Sequence, residues 1–118
     1  ADDVLSARTV VHQIPVAEGL RQFAGRLVLA THPDSADAPE TVRNYVEYGA
    51  SPRAAIALIR AAKAHAFLSG QVHVRPADVE AMFLPALQHR IILNFRGEAE
   101  GVTPSSILAE VWRKVPVA

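Results

Sequence analysis

The residues of this sequence that are best placed to do chemistry lie in the run Gly49-Ala50-Ser51-Pro52-Arg53. Serine is a typical N-cap residue and proline is favoured at the first helical position, so the run predicts the start of a helix. Arg53 would then be about the second residue of that helix, where unpaired backbone N–H groups and the helix dipole attract an anion. An arginine side chain can also grip phosphate oxygens with two N–H groups at once. The run is therefore a candidate phosphate contact.

Arg53 also has a plainer interpretation. A cation at a helix N-terminus slightly opposes the helix dipole, and the side chain could pair with an acidic neighbour such as Glu47 or extend into water. Arg60 and Lys63 follow on nearly the same helical face, where we predict a solvated basic stripe. The residues alone leave both interpretations of Arg53 open.

Other familiar catalytic patterns are missing from the sequence. Without cysteine, disulfides, thiolate catalysis and thiolate zinc sites are excluded. Neither a Gly-x-x-x-x-Gly-Lys-Ser/Thr phosphate loop nor a Gly-x-Ser-x-Gly nucleophile elbow occurs. The histidines never sit three or four residues apart, as helical metal ligands would, so we interpret them as satisfied or solvated side chains: His12, His32, His65, His73 and His89. We expect no metal site and no catalysis by this chain alone.

Length and composition predict a single globular domain spanning residues 1–118, with half of the residues hydrophobic and a fifth charged. Lys and Arg together number 12, as do Asp and Glu, and this zero net charge argues against nucleic acid or an anionic membrane as a partner. No apolar run approaches the roughly 18–20 residues of a membrane span. The first residues are acidic where a signal peptide would be basic, so we expect a cytoplasmic location.

Apolar periodicity and the placement of proline and glycine predict the elements that must position Arg53. Helices are expected over about 17–31, over 39–45, from Ser51 to Gly70, from Pro76 through Leu87, and from Thr103 to Val115. Gly49 would permit an unusual backbone turn and Gly70 would stop the third helix. The expected core face of that helix includes Leu58 and Ile59.

The remaining stretches are short. Residues 71–74 (QVHV) alternate and suggest an extended segment, residues 90–95 (RIILNF) are ambiguous between a helix end and a strand, and residues 97–101 (GEAEG) suggest a turn or loop. The prediction is an all-α fold, a small bundle of four or five helices with at most one short β pairing.

Several of these stretches resemble one known family. Tyr48–Ala54 resembles the Gly-Ala-Ser-Pro-Arg signature in the C-terminal lid domain of MoxR-type AAA+ ATPases. Further segments are similar to the lid in order and spacing: PVAEGL, ALIRAAKAHAFLSGQVHVRPADV, LQHRIIL and GVTPSSILAEVWRKVPV. The resemblance extends over about residues 3–117.

The resemblance implies a function for the candidate contact. In the family, the arginine of this signature is the sensor 2 residue, which reaches the γ-phosphate of ATP and couples hydrolysis to lid rotation; that role maps onto Arg53, with Gly49, Ala50, Ser51 and Pro52 forming its loop. ATP and Mg²⁺ would be held mainly by an upstream P-loop domain that this chain lacks, so the chain would be a lid excised from a longer ATPase.

The same resemblance implies the partners. They are the upstream nucleotide-binding domain, neighbouring subunits of a ring, and client proteins that the motor remodels or activates, including by insertion of metal cofactors. One alternative from another class is a stand-alone helical interaction module that uses no nucleotide. A helix-turn-helix DNA binder is a further alternative, which the zero net charge disfavours.

Two details qualify the resemblance. Arg75 stands where the family commonly has a Thr or Ser cap, so Asp78 is expected to support more of that helix start. His89 and Arg90 match a family pattern, and either a helix C-terminus or a subunit contact would account for them.

Overall fold

The computed structural model describes residues 11 and 13–117, and in them the chain forms six helices and one two-stranded antiparallel sheet. In chain order these elements are α1 (Glu18–Leu29), α2 (Glu40–Tyr45), β1 (Val46–Tyr48), α3 (Arg53–Leu68), α4 (Pro76–Leu87), β2 (Ile92–Leu93), α5 (Phe95–Ala99) and α6 (Pro104–Lys114). The predicted fold class, a small helical bundle with one short β pairing, is confirmed.

The helix boundaries follow from the residues that flank them. Pro76 and Pro104 open α4 and α6, at the position where a helix does not need the missing N–H. The Thr103 side chain caps α6 by accepting a hydrogen bond from the Ser106 N–H. Gly70 follows α3 with a φ of +75°, as predicted for a C-terminal stop. Within residues 13–117, none of the helices is both long and apolar enough to cross a membrane.

The core is formed mainly by the apolar stripes of the four longer helices, with Val42 of α2 and Val46 of β1 also buried in it. Leu58 and Ile59 of α3 are buried, as predicted, in the helix that packs against α4 and α1. Trp112 of α6 packs edge-on against Phe23 of α1, with ring centroids 5.3 Å apart, and its ring centroid lies 5.5 Å from that of Phe83 in α4. These aromatic contacts join three helices that are distant in sequence.

The structure has one helix more than the four or five predicted, because α5 covers residues 97–99 of the predicted turn or loop; residues 100 and 101 form a turn as predicted. Asn94 is its N-cap, and its side-chain oxygen accepts a hydrogen bond of 2.8 Å from the Gly97 N–H. The same side chain donates to the Asn44 carbonyl, which ties α5 to the end of α2. A helix of five residues is too short to show an apolar period, so the cap is its one signal in the sequence.

The β pairing lies elsewhere than the alternation of residues 71–74 indicates. Strand β1 pairs with β2, with Val46 opposite Leu93 and Tyr48 opposite Ile92 across an irregularity. The QVHV segment forms no strand; its Val74 is buried and donates one backbone hydrogen bond to the Pro15 carbonyl. Val72 is 80% exposed, so the two valines do not form one buried face and the alternation does not mark a strand.

The start of α4 is fastened to α3 by a buried carboxylate. Asp78 is fully buried and accepts hydrogen bonds from the Arg75 backbone N–H (2.7 Å) and from the Arg75 guanidinium (2.9 and 3.1 Å). The His65 Nδ1 lies 2.7 Å from the Asp78 Oδ1 and donates to it, since a carboxylate only accepts. Asp78 therefore supports the helix start, as expected from the missing Ser or Thr cap.

Candidate functional site

The predicted contact residues form the connection between β1 and α3. Gly49, Ala50 and Ser51 leave the strand, Pro52 already has helical backbone angles, and Arg53 is the first residue of α3. The Ser51 carbonyl accepts from the Ala54 N–H at 2.8 Å, which closes the first turn of the helix. The structure thus places all five predicted residues together at one helix N-terminus.

The Arg53 side chain is exposed, and its guanidinium forms no hydrogen bond or ion pair with any of the residues that the structure describes. The pairing with Glu47 that the sequence left open is not formed. Arg53 is the first residue of α3, one position nearer the helix start than predicted, and the N–H groups of Ala54 and Ala55 after it are bonded to the Ser51 and Pro52 carbonyls. The side chain is available to an anion that approaches from outside this chain.

The capping role predicted for Ser51 is wrong. The hydroxyl of this exposed residue forms no hydrogen bond within the described part of the chain, and the N-cap position is occupied by Pro52 without a side-chain cap. The helix start is instead held by its buried neighbours, Ala50 and Ala54, which are both fully inaccessible. Packing replaces capping at this terminus.

The reason predicted for Gly49 is also wrong. Its φ is not positive; among the described glycines only Gly70 and Gly101 have a left-handed backbone. A Cβ on Gly49 would lie 2.6 Å from the Thr31 carbonyl oxygen and 2.9 Å from the His32 ring. Glycine is needed because this backbone passes directly over the end of α1.

Two residues that sequence reasoning does not single out as functional hold the connection in place. The Ala50 N–H donates to the Thr31 Oγ1 at 3.0 Å, and the Ala50 carbonyl oxygen lies 2.6 Å from the His32 Nε2. Both residues come just after α1, in a Thr-His-Pro sequence whose local pattern indicates only a helix stop. No spacing rule links positions so far apart, so only the fold reveals the contact.

An open groove of about 270 Å³ lies beside α3. Its apolar floor consists of Ala55, Ile56 and Ile59, and Arg21, Arg60 and Lys63 line it. Arg60 is exposed, as predicted for a solvated stripe, whereas Lys63 is partly buried.

The Arg90 Nε donates to the Ala86 carbonyl at the end of α4, which agrees with a helix C-terminal role for that cation.

The described residues hold no cluster of three or more His, Asp or Glu side chains suited to a metal ion. The chemistry available at the candidate site is the electrostatic and hydrogen-bonding recognition of an anion by Arg53 and the start of α3.

Known proteins are similar to this chain in sequence and fold. A sequence model of the AAA lid domain family matches residues 39–111. The chain is 29% identical over 113 residues to the chaperone MoxR1 of Mycobacterium tuberculosis, covering 96% of this chain and 30% of that protein. It is 37% identical over 86 residues to the protein MoxR of Paracoccus denitrificans, covering 71% and 24% of the two chains.

The crystal structure of a candidate ATPase from Cytophaga hutchinsonii matches 98% of this chain with a TM-score of 0.93 and 39% identity, over 35% of its own length. The chain thus spans about a third or less of these relatives. The family match, the MoxR relatives and the structural match agree with the lid signature around Arg53. The chain therefore belongs to the AAA lid domain family, as a lid of the MoxR type.

Proposed function

We propose that Arg53 is the sensor 2 arginine of this lid and contacts the γ-phosphate of ATP bound by a preceding nucleotide-binding domain. The observation that carries the proposal is an exposed guanidinium on the first residue of α3, without a partner among the residues that the structure describes. A charge-assisted hydrogen bond to phosphate strengthens as charge develops on the oxygens, so the contact would favour hydrolysis more than binding.

The residues present fit the phosphate and not the metal. Arg53 at the start of α3 would face the nucleotide, whereas Mg²⁺ and most of the ATP would be held by the preceding domain. Bound ATP and Mg²⁺ supply the phosphoryl group and the charge neutralisation that its transfer needs. The isolated lid, which would offer the phosphate only the exposed guanidinium of Arg53, would bind nucleotide very weakly.

We also propose an activity for the whole protein. The chain would be one domain of a longer ATPase that assembles into a ring and uses hydrolysis to remodel or activate client proteins, including by insertion of metal cofactors. The similarity to MoxR1, which is named a chaperone, supports the client role. We also propose a cytoplasmic location, which fractionation of cells that produce the full-length protein would test.

The test replaces Arg53 by Ala in the full-length protein. We expect ATP turnover to fall tenfold or more, about 1.4 kcal/mol upward, because the phosphate contact is lost. The melting temperature should change little, since the exposed side chain contributes no contact and its charge opposes the helix dipole. Arg60→Ala is the matched control: it removes the same charge two turns further along α3 and should leave turnover intact.

The alternative function, a stand-alone helical interaction module, predicts a different result. Arg53 would be idle, and both alanine variants would behave like the wild type in any nucleotide assay. Wild-type ATP turnover by Arg53→Ala would therefore overturn the sensor assignment, as would unfolding of that variant.

A further inference from the structure

We propose that Thr31 and His32 are positioning residues, which hold the Gly49–Ser51 backbone on the end of α1 and so fix the point from which Arg53 reaches the phosphate. The inference rests on the proposed phosphate role of Arg53. It gives the residues after α1 a part in ATP hydrolysis that they play through the loop before Arg53 and not through contact with the nucleotide.

Thr31 provides the first hold. Its side chain is fully buried, and its hydroxyl donates to the Val28 carbonyl at 2.6 Å while accepting the Ala50 N–H at 3.0 Å. The donated bond orients the oxygen, so its lone pair faces the loop. Without the hydroxyl, the Ala50 N–H would be buried without a partner, and the loop would have to move to satisfy it.

His32 provides the second hold, on the carbonyl side of Ala50. Its Nε2 lies 2.6 Å from the Ala50 carbonyl oxygen, and because a carbonyl only accepts, the Nε2 must carry the proton. The ring also lies against Gly49, where a Cβ would come within 2.9 Å of it. Two consecutive residues therefore bind both backbone groups of Ala50.

The hydrogen bonds of Thr31 and His32 to Ala50 are close enough to Arg53 to control its position. Ala50 is fully buried, and the next residue, Ser51, accepts the first hydrogen bond of the α3 turn from Ala54. A shift of Ala50 is therefore passed directly to that turn. Since Arg53 has no partner among the described residues, its backbone is what locates its guanidinium, and small misplacements of a catalytic contact slow the reaction strongly.

The test uses pairs of variants in the full-length protein. Thr31→Val and His32→Leu remove the two holds, and we expect kcat for ATP hydrolysis to fall about three- to tenfold with a smaller change in KM. Thr31→Ser and His32→Gln keep a hydroxyl and an N–H donor, so they should restore most of the rate. Circular dichroism at the assay temperature verifies that each variant is folded.

The chain offers matched controls. Thr41→Val makes the same change at the only buried side-chain polar atom of residues 13–117 that lacks a hydrogen-bond partner, and His73→Gln changes an exposed histidine outside the site. Both controls should hydrolyse ATP like the wild type. If Thr31→Val does not fold, His32→Leu carries the same test, because His32 is only partly buried.

Each variant is then combined with Arg53→Ala. If Thr31 and His32 act through Arg53, their effects should shrink to less than about twofold in that background. The inference would be overturned if Thr31→Val and His32→Leu lowered kcat equally with and without Arg53. It would also be overturned if both variants hydrolysed ATP like the wild type while Arg53→Ala was slow. Wild-type turnover by Arg53→Ala alone would instead overturn the proposed function itself.

Discussion

Gly49 stands where a methyl group would meet the backbone of Thr31. A Cβ at this position would be 2.6 Å from a carbonyl oxygen at the end of a helix, so the loop would have to lift away. We expect Gly49→Ala to lower the free energy of unfolding by about 1–3 kcal/mol. Urea denaturation followed by circular dichroism measures the change.

Gly25 supplies the control for this substitution. It lies in α1 with open space around the position of a Cβ, and alanine is the better helix former there. Gly25→Ala should raise the free energy of unfolding by about 0.5–1 kcal/mol. Equal stabilities of Gly49→Ala and the wild type would show that the loop is not held against α1.

The position of Arg53 can be predicted from the sequence, but its supports cannot. A serine, a proline and an arginine in succession define a helix start locally. The contacts that hold this start join Ala50 to His32 and Thr31, which lie 18 and 19 residues away. Hydrogen bonds across that separation depend on how α1 and α3 pack, and no local pattern encodes them.

The junction of α3 and α4 carries a pH-dependent contribution to stability. Burial pushes the pKa of Asp78 upward, but the hydrogen bonds from the Arg75 side chain and backbone and from His65 outweigh it and bring the pKa from 3.8 down to about 2. Because the folded pKa lies below the unfolded one, the stabilisation is complete above about pH 4 and is lost as the pH falls towards 2.

Asp78→Asn tests this contribution. The free energy of unfolding of the variant should be lower than that of the wild type at pH 7. Between pH 4 and 2 it should fall less steeply than that of the wild type, by at most about 2 kcal/mol, because the variant has no carboxylate at this position to protonate. Asp34→Asn, at a position that makes no such contacts, should keep the wild-type pH profile. If Asp78→Asn showed the same dependence of stability on pH as the wild type, the pKa of Asp78 would not differ between the folded and unfolded states.

Among the elements, the longer ones are predicted best, although the six-residue helix α2 is also expected because proline at position 39 favours a helix start. The four longer helices show a clear apolar period, and their predicted ends agree with the structure to within a few residues, whereas α5 has five residues and β1 has three. Strand β1 exists because β2 pairs with it, and β2 has only two residues. Such short segments take their structure from tertiary contacts more than from their own sequence.

The packing of the whole molecule depends on α3, which contacts both α1 and α4. Leu58 is fully buried at this junction, so we expect Leu58→Ala to lower the free energy of unfolding by about 2–5 kcal/mol. Leu68→Ala makes the same change in the same helix at a side chain that is 83% exposed and should have little effect. Similar losses in the two variants, measured by chemical denaturation, would contradict this packing.

The pairing of β1 with β2 has a consequence for the order in which the chain is made. On the ribosome, Arg53 is synthesised well before Ile92 and Asn94. Strand β1, which leads into the loop before Arg53, nevertheless pairs with Ile92, and the residue just before the end of α2, Asn44, accepts a hydrogen bond from Asn94, 50 residues later. Closing contacts of such long range is slow compared with forming a helix. We therefore expect the loop before Arg53 to reach its final position late in synthesis, after the longer helices of the nascent chain have formed.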